Sequence, residues 1–144
     1  MFEYKAVYAR NNKIPFLGIC YGMQMAIIEF ARNRLNLKKA TSSEFDKKGL
    51  PVIGLIDEWI KDGKIIKGTD KNLGGTMRLG SYQAKLKDNS LIRKIYRKKI
   101  INERHRHRYE VNINYKVKFE KNGMIFSGLS PDGLLTEIIE LKNH

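Results

Sequence analysis

The chain has 144 residues, 42 % of them hydrophobic, and carries 28 Lys or Arg against 15 Asp or Glu, a net charge of +13. Its single cysteine excludes an intramolecular disulfide framework and fits a reducing compartment. No apolar stretch approaches the ~18–20 residues that span a bilayer, and residues 1–13 lack the apolar core of a signal peptide. We therefore expect one domain over residues 1–144, in the cytoplasm, with no membrane association.

Apolar patterning and turn residues predict an alternation of helices and strands. Residues 57–63 continue an apolar run into a turn at Asp62 and Gly63, and two loops are expected at 41–48 and 67–75. Pro131, Asp132 and Gly133 form a strong turn signal between two β-rich runs, which predicts a hairpin. The predicted helices are 2–10, 21–35, 90–96 and 115–121, and the predicted strands or apolar runs are 14–19, 51–56, 77–86, 106–111, 124–130 and 134–141.

The positive charge is densest over residues 93–108, which hold eight Lys or Arg and one acid, Glu103. Such a segment suggests nucleic acid or an anionic surface as a partner. However, Tyr96 is the only aromatic residue within it, and neither a zinc-finger spacing nor an RNA-recognition signature is present. We interpret the charge as a solvated surface, so specific nucleic-acid binding is not expected.

The cysteine lies in the motif G-x-C-x-G, formed by Gly18, Cys20 and Gly22 between a predicted strand and a predicted helix. This is the nucleophile-elbow pattern with sulfur in place of a hydroxyl, in which small flanking residues let strand and helix approach closely. A thiolate at a helix N-terminus is stabilised by the positive end of the helix dipole. A buried structural cysteine is the alternative, but the two glycines and the strand-turn-helix context favour a nucleophile.

The segment NNKIPFLGICYGMQMAIIEFARN resembles the nucleophile region of the class I (triad) glutamine amidotransferase domain of the CTP synthase family. Four further stretches strengthen the resemblance: SSEF at 42–45, GGTMRLG at 74–80, ERHRHRYEVN at 103–112 and FSGLSPDGLLTEIIE at 126–140. The resemblance implies an α/β fold with a three-layer, largely parallel sheet of the class I glutaminase type, present here in incomplete form. Its site is expected beyond the carboxyl ends of the strands.

The resemblance also implies parts that the 144 residues do not include. In the family a histidine and a glutamate in an H-P-E element serve the cysteine, and a glycine-rich loop contributes to the oxyanion hole. A synthetase domain binds ATP, Mg²⁺ and UTP, GTP stimulates the glutaminase, and the enzyme forms homo-tetramers through that domain. We therefore expect a partial glutamine amidotransferase domain without cofactors of its own, and glutaminase activity near background.

For the site itself, the resemblance assigns roles to five residues. Cys20 is the nucleophile and the backbone N–H of Tyr21 is one oxyanion donor. Glutamine carries an α-ammonium and an α-carboxylate, so its pocket needs one anionic and one cationic group. Glu44 is expected to receive the ammonium and Arg108 the carboxylate, while Gln24 lines the same pocket. Taken singly, each of the last three residues has an ordinary surface or helix interpretation.

Two other groups of residues could form a further site or an interface. His105 and His107 alternate, so on a strand both would face the same side, but the chain has too few further ligands for a zinc site. The GGTMRLG segment resembles a family loop and strand facing the synthetase domain and is a candidate coupling surface. Three alternative functions remain open: another class I amidotransferase, a non-catalytic binding or regulatory module, and an anion or nucleic-acid binder.

Overall fold

The computed structural model describes residues 2–55, 77–142 and 144. Within these ranges no helix is long and apolar enough to cross a membrane. The expectations for residues 57–63 and 67–75 lie outside the described residues. The helices are α1 (Phe2–Asn12), α2 (Tyr21–Asn33), α3 (Leu91–Tyr96), a single 3-10 turn (Ile113–Tyr115) and α4 (Lys116–Lys121). The strands are β1 (Ala40–Ser42), β2 (Leu50–Leu55), β3 (Arg78–Leu86), β4 (Ile100–His107), β5 (Tyr109–Val111), β6 (Met124–Leu129) and β7 (Thr136–Leu141).

The described strands form two sheets, one ordered β1-β2-β5 and the other β4-β3-β6-β7. Strands β4 and β5 follow one another with only Arg108 between them, so the chain passes from one sheet to the other at that residue. Among the described pairings, only β1 with β2 is parallel. The α/β class is thus confirmed, but these strands pair mostly antiparallel, contrary to the largely parallel sheet that we expected.

The strand predicted over residues 14–19 is wrong. These residues have no regular secondary structure, and Leu17 and Ile19 are 86 % and 75 % exposed. A strand is stabilised by hydrogen bonds to a neighbouring strand, and none of the described strands pairs with this segment.

The other predicted elements form, with shifted ends. Helix α2 ends at Asn33, two residues early, and the loop predicted at 41–48 begins inside the short strand β1. The strand predicted over 106–111 is longer and divided, because β4 begins at Ile100 and the backbone bends at Arg108. The predicted hairpin is confirmed as β6 and β7. Its turn is stabilised by Asp132, whose carboxylate accepts hydrogen bonds from the Ser130 hydroxyl and the Leu134 N–H.

The main core lies between α2, the β1-β2-β5 sheet and the β6-β7 hairpin. Helix α2 buries one apolar face, including Ile27 and Ala31, and Phe30 stacks on Phe119 with ring centroids 5.8 Å apart. Phe119 in turn contacts Phe126 of β6, so α4 joins the helix to the second sheet. Burial of these side chains supplies the main favourable term in folding. The core thereby fixes the N-terminus of α2 relative to both sheets.

Candidate functional site

Cys20 lies immediately before helix α2 in a strained backbone conformation. It is the N-cap residue with φ 54° and ψ −108°, and it is exposed. A positive φ at a residue with a Cβ costs free energy and persists only where neighbouring structure maintains it. This conformation places the thiol on a sharp turn at the start of a helix, as the G-x-C-x-G motif predicted, but without the strand expected before the turn.

The two glycines of the motif have different roles. A Cβ built on Gly18 would lie 2.7 Å from the carbonyl carbon and 2.8 Å from the carbonyl oxygen of Gly22. Only a residue without a side chain permits this approach of the incoming chain to the helix. At Gly22, in contrast, no atom of the described residues lies within 4 Å of the added Cβ. The turn therefore depends on Gly18 for space and not on Gly22.

The loop that carries Glu44 contacts the start of the helix. The ring of Tyr21, the first residue of α2, meets the ring of Phe45 edge to face, with centroids 6.0 Å apart. Glu44 precedes Phe45, and its N–H donates to the Ser42 hydroxyl over 3.3 Å. The Glu44 side chain is exposed. The contact thus brings the loop of the expected ammonium ligand to the elbow, with its carboxylate at the surface.

Arg108 is connected to the same helix through its neighbour. Gln24, 8 % exposed, donates from Nε2 to the carbonyl oxygen of Tyr109 over 2.9 Å. Tyr109 follows Arg108, which occupies the one-residue bend between β4 and β5 and is exposed. Gln24 is therefore a buried link between α2 and this bend. The five expected site residues lie on three segments, and these two contacts join the segments around the N-terminus of α2.

Within residues 2–55, 77–142 and 144, no base is paired with the Cys20 thiol. Among the described residues, the Cys20 side chain makes no capping hydrogen bond. All three histidines of the chain are described, and each has other contacts. His105 lies between Glu103 and Glu137, the His107 ring contacts that of His105 with centroids 5.2 Å apart, and His144 approaches the Ala9 carbonyl oxygen. These contacts of His105 and His107 are thus with each other and with Glu103 and Glu137, and none of them involves Cys20.

A buried charged network, which we did not predict, lies beside the bend at Arg108. The Arg78 guanidinium of β3 binds Glu110 of β5 at 3.2 Å and Glu137 of β7 at 2.5 Å. The second oxygen of Glu137 contacts Nε2 of His105 on β4. These four side chains are at most 7 % exposed. The only sequence signal was the alternation of His105 and His107, which the ring contact confirms as facing one side.

Burial and charge shift three pKa values around this network. Burial raises the pKa of Glu110 even though the Arg78 charge opposes the shift. For Arg78, burial acts to lower the pKa, but the hydrogen bonds and charges of Glu137 and Glu110 together raise it. Burial lowers the pKa of His107, and the electrostatic effects of His105 and of the Arg78 charge lower it further. Keeping these charged side chains buried in the network therefore costs desolvation free energy.

No group of three or more His, Cys, Asp or Glu side chains in the described residues could hold a metal ion. The donors nearest to forming such a group, His105, Glu110 and Glu137, are instead bound to Arg78 or to each other. A guanidinium in this position already neutralises the carboxylates. The described residues therefore offer no set of donors that fits a resident metal.

Comparison with known proteins gives consistent matches. Residues 4–144 match the family model described as glutamine amidotransferase class-I. The chain is 83 % identical to the CTP synthase of Pelagibacter ubique over 137 residues, covering 95 % of this chain and 26 % of that protein. It is 59 % identical to the CTP synthase of Zymomonas mobilis, covering 95 % of this chain and 25 % of that protein. The chain thus spans about a quarter of the length of the curated relatives it matches.

A solved structure extends the comparison to the fold. The Trypanosoma brucei CTPS glutaminase domain with bound acivicin superposes with a TM-score of 0.77 at 31 % sequence identity. The match covers 97 % of this chain and 50 % of that one. The overall arrangement of helices and sheets is therefore shared with a solved glutaminase domain.

Proposed function

The chain belongs to the class I glutamine amidotransferase family and corresponds to the glutaminase domain of CTP synthases, and we propose that its Cys20 attacks the side-chain amide of glutamine. The observation that carries this proposal is the strained, exposed conformation of Cys20 at the start of α2. Strain of this kind is retained where it serves a site. Neither a binding module nor an anion binder accounts for a cysteine held in this way.

The reaction proposed for this site has two stages. The Cys20 thiolate forms a bond to the amide carbon of glutamine, and the carbonyl oxygen becomes an oxyanion that the Tyr21 N–H stabilises. Collapse of this intermediate breaks the carbon–nitrogen bond, and ammonia leaves with a proton from a general acid. Water then hydrolyses the thioester to glutamate and restores the thiolate. A general base is required in both stages, and none of the described contacts of Cys20 provides it.

Substrate selection is proposed to rest on the two exposed charges flanking the elbow. The Glu44 carboxylate receives the α-ammonium group of glutamine and the Arg108 guanidinium receives its α-carboxylate. Gln24 supports the Arg108 side of the pocket, because its hydrogen bond holds the next carbonyl group in place. One anionic and one cationic group in the same pocket would select a free amino acid over a simple amide.

For the whole protein, we propose that the ammonia aminates UTP to CTP in an ATP-dependent synthetase domain, as the family assignment implies. Mg²⁺ and ATP would act in that domain, GTP would act as the effector, and the enzyme would be a cytoplasmic homo-tetramer. The segment 74–80 would face the synthetase domain; Met77 and Leu79, which are described, are 41 % and 59 % exposed. The matches to CTP synthases do not favour another amidotransferase, a non-catalytic module or a nucleic-acid binder.

Acivicin, an amino acid with an electrophilic ring, provides a test that does not require turnover. We expect it to modify Cys20, with a labelling rate that saturates as its concentration rises and with protection by glutamine, both measured by intact mass. Cys20→Ser should abolish labelling, and Arg108→Ala should raise the half-saturating concentration by about tenfold or more. Iodoacetamide, which has no amino-acid group, is the matched reagent and should show no saturation. A wild-type rate that rises linearly with acivicin would contradict the proposal.

A further inference from the structure

The charged network contacts the chain on both sides of the bend at Arg108. In the β3-β4 ladder Arg78 is the register partner of His107, the residue before Arg108. Its guanidinium meanwhile binds Glu110, two residues after Arg108, at 3.2 Å. One residue therefore holds the chain upstream of the bend through its backbone and downstream through its side chain.

Glu137 completes the arrangement from the hairpin. One of its oxygens binds Arg78 at 2.5 Å and the other contacts His105, three residues upstream of Arg108. Both ring nitrogens of His105 lie against acceptor oxygens, the second being the Glu103 carbonyl at 2.9 Å. The Tyr82 ring lies over the guanidinium, 4.6 Å from its central carbon to the ring centroid. The side chains of Arg78, Glu137 and His105 are thus each held in one orientation by at least two contacts.

Such a network is not explained by stability alone. Taking several charges out of water is costly, and well-packed apolar side chains in their place often stabilise a protein equally or better. Buried ionic groups do, however, define a single geometry. Here the geometry that they define is that of the junction between the two sheets, and Arg108 is the residue at this junction.

Resting on the function proposed above, we propose that Arg78, Glu110, Glu137 and His105 are positioning residues that hold the Arg108 bend so that its guanidinium meets the α-carboxylate of glutamine. Among the described residues, none of the contacts that form the network involves Cys20. Loss of the network should therefore weaken recognition of the amino-acid group and leave the intrinsic reactivity of Cys20 unchanged.

The test compares acivicin labelling of the full chain and its variants. Arg78→Met should raise the half-saturating acivicin concentration by about tenfold or more, with little change in the rate of iodoacetamide labelling. Adding Arg108→Ala to Arg78→Met should cause little further increase, because Arg108 is already displaced. If Arg78→Met fails to fold, as judged by circular dichroism, Glu110→Gln serves as the second variant, with an increase in the same direction.

Glu29→Gln is the matched control for loss of a buried ion pair. Glu29 is 2 % exposed and binds Arg10 at 2.6 Å between α1 and α2, away from the bend. It should lower stability without changing the half-saturating concentration. Unchanged constants in the network variants, or effects that add fully to that of Arg108→Ala, would overturn the inference while leaving the proposed function intact. Absence of saturation in the wild type would overturn both.

Discussion

Gln24 of helix α2 donates a hydrogen bond of 2.9 Å to the carbonyl oxygen of Tyr109, 85 positions later in the chain. The contact joins helix α2, which begins after the proposed nucleophile Cys20, to strand β5, which begins after the expected carboxylate ligand Arg108. Because Gln24 is buried, this hydrogen bond fixes Cys20 relative to Arg108 through the protein core and not through a surface loop.

Replacing Gln24 by Leu should destabilise the protein. The change leaves the Tyr109 carbonyl without its donor in a mostly buried position, which costs about 1–3 kcal/mol. The free energy of unfolding from urea titration measures the effect. Gln83→Leu on the exposed side of β3 is the matched control and should change stability by less than about 0.5 kcal/mol. Equal effects of the two substitutions would show that the Gln24 hydrogen bond contributes nothing.

Alanine should be tolerated at Gly22 and rejected at Gly18. A methyl group at Gly18 would overlap the backbone of Gly22, and relieving this overlap should cost about 1–3 kcal/mol and slow acivicin labelling. At Gly22 the added group meets no described atom, and alanine favours the helix by up to about 1 kcal/mol. Thermal unfolding and labelling of the two variants measure both effects. A Gly18→Ala protein as stable and reactive as Gly22→Ala would refute this account of the motif.

Glutaminase turnover by this chain should be close to background. None of the described contacts gives the Cys20 thiol an imidazole partner, and loss of one member of a catalytic triad commonly costs about 10⁴-fold. Release of glutamate from glutamine, assayed with Cys20→Ser as the blank, measures the rate. Turnover comparable to that of a full-length CTP synthase and abolished by Cys20→Ser would contradict this prediction.

Stability should fall on mild acidification because of His107. Its pKa is lowered in the folded state by burial and by the electrostatic effects of His105 and Arg78, so the unfolded chain takes up the proton first. The contribution is present above about pH 6.5, the ordinary value for histidine, and is lost as the pH falls through the lowered folded-state pKa. Urea titrations at pH 7.5 and 5.5 should show a smaller loss for His107→Gln than for the wild type. An equal loss in both proteins would exclude His107 as the cause.

The exposed segment 14–19 should make the chain associate and limit its stability. Leu17 and Ile19 are 86 % and 75 % exposed, and no described strand pairs with this backbone. Sedimentation velocity should detect association that increases with concentration, and Leu17→Lys with Ile19→Lys should reduce it. Ile95→Lys, at a 63 % exposed position of α3, is the control. A monomer with a cooperative thermal transition above about 60 °C would contradict this expectation.

Local sequence signals were sufficient to predict most helices and strands, but they did not predict which strands pair with each other. The helix predicted over 90–96 forms as α3, with the Ser90 hydroxyl accepting the Arg93 N–H at its N-cap, and the Pro131-Asp132-Gly133 turn predicted the hairpin. The strand at 14–19 was wrong because apolar composition does not supply a neighbouring strand. Similarly, β4 extends to Ile100 because it pairs with β3, a relationship that periodicity within residues 97–105 does not reveal.

The site residues also differ in how far the sequence could predict them. Cys20 was evident from a motif of five residues, and the resemblance supplied Glu44 and Arg108. The Arg78 network was not predictable, since its ion pairs join residues 32 and 59 positions apart, and only the tertiary fold brings such residues together. Charged residues in a basic chain also look like surface residues until their burial is known.

The positive φ of Cys20 affects which residues could replace it during evolution. With φ at 54°, the position suits glycine better than any residue that carries a Cβ. Selection for folding alone would therefore favour glycine over cysteine here, and the nucleophilic role proposed for Cys20 is what would oppose that exchange. Under that proposal, the position exchanges folding free energy for a reactive sulfur atom.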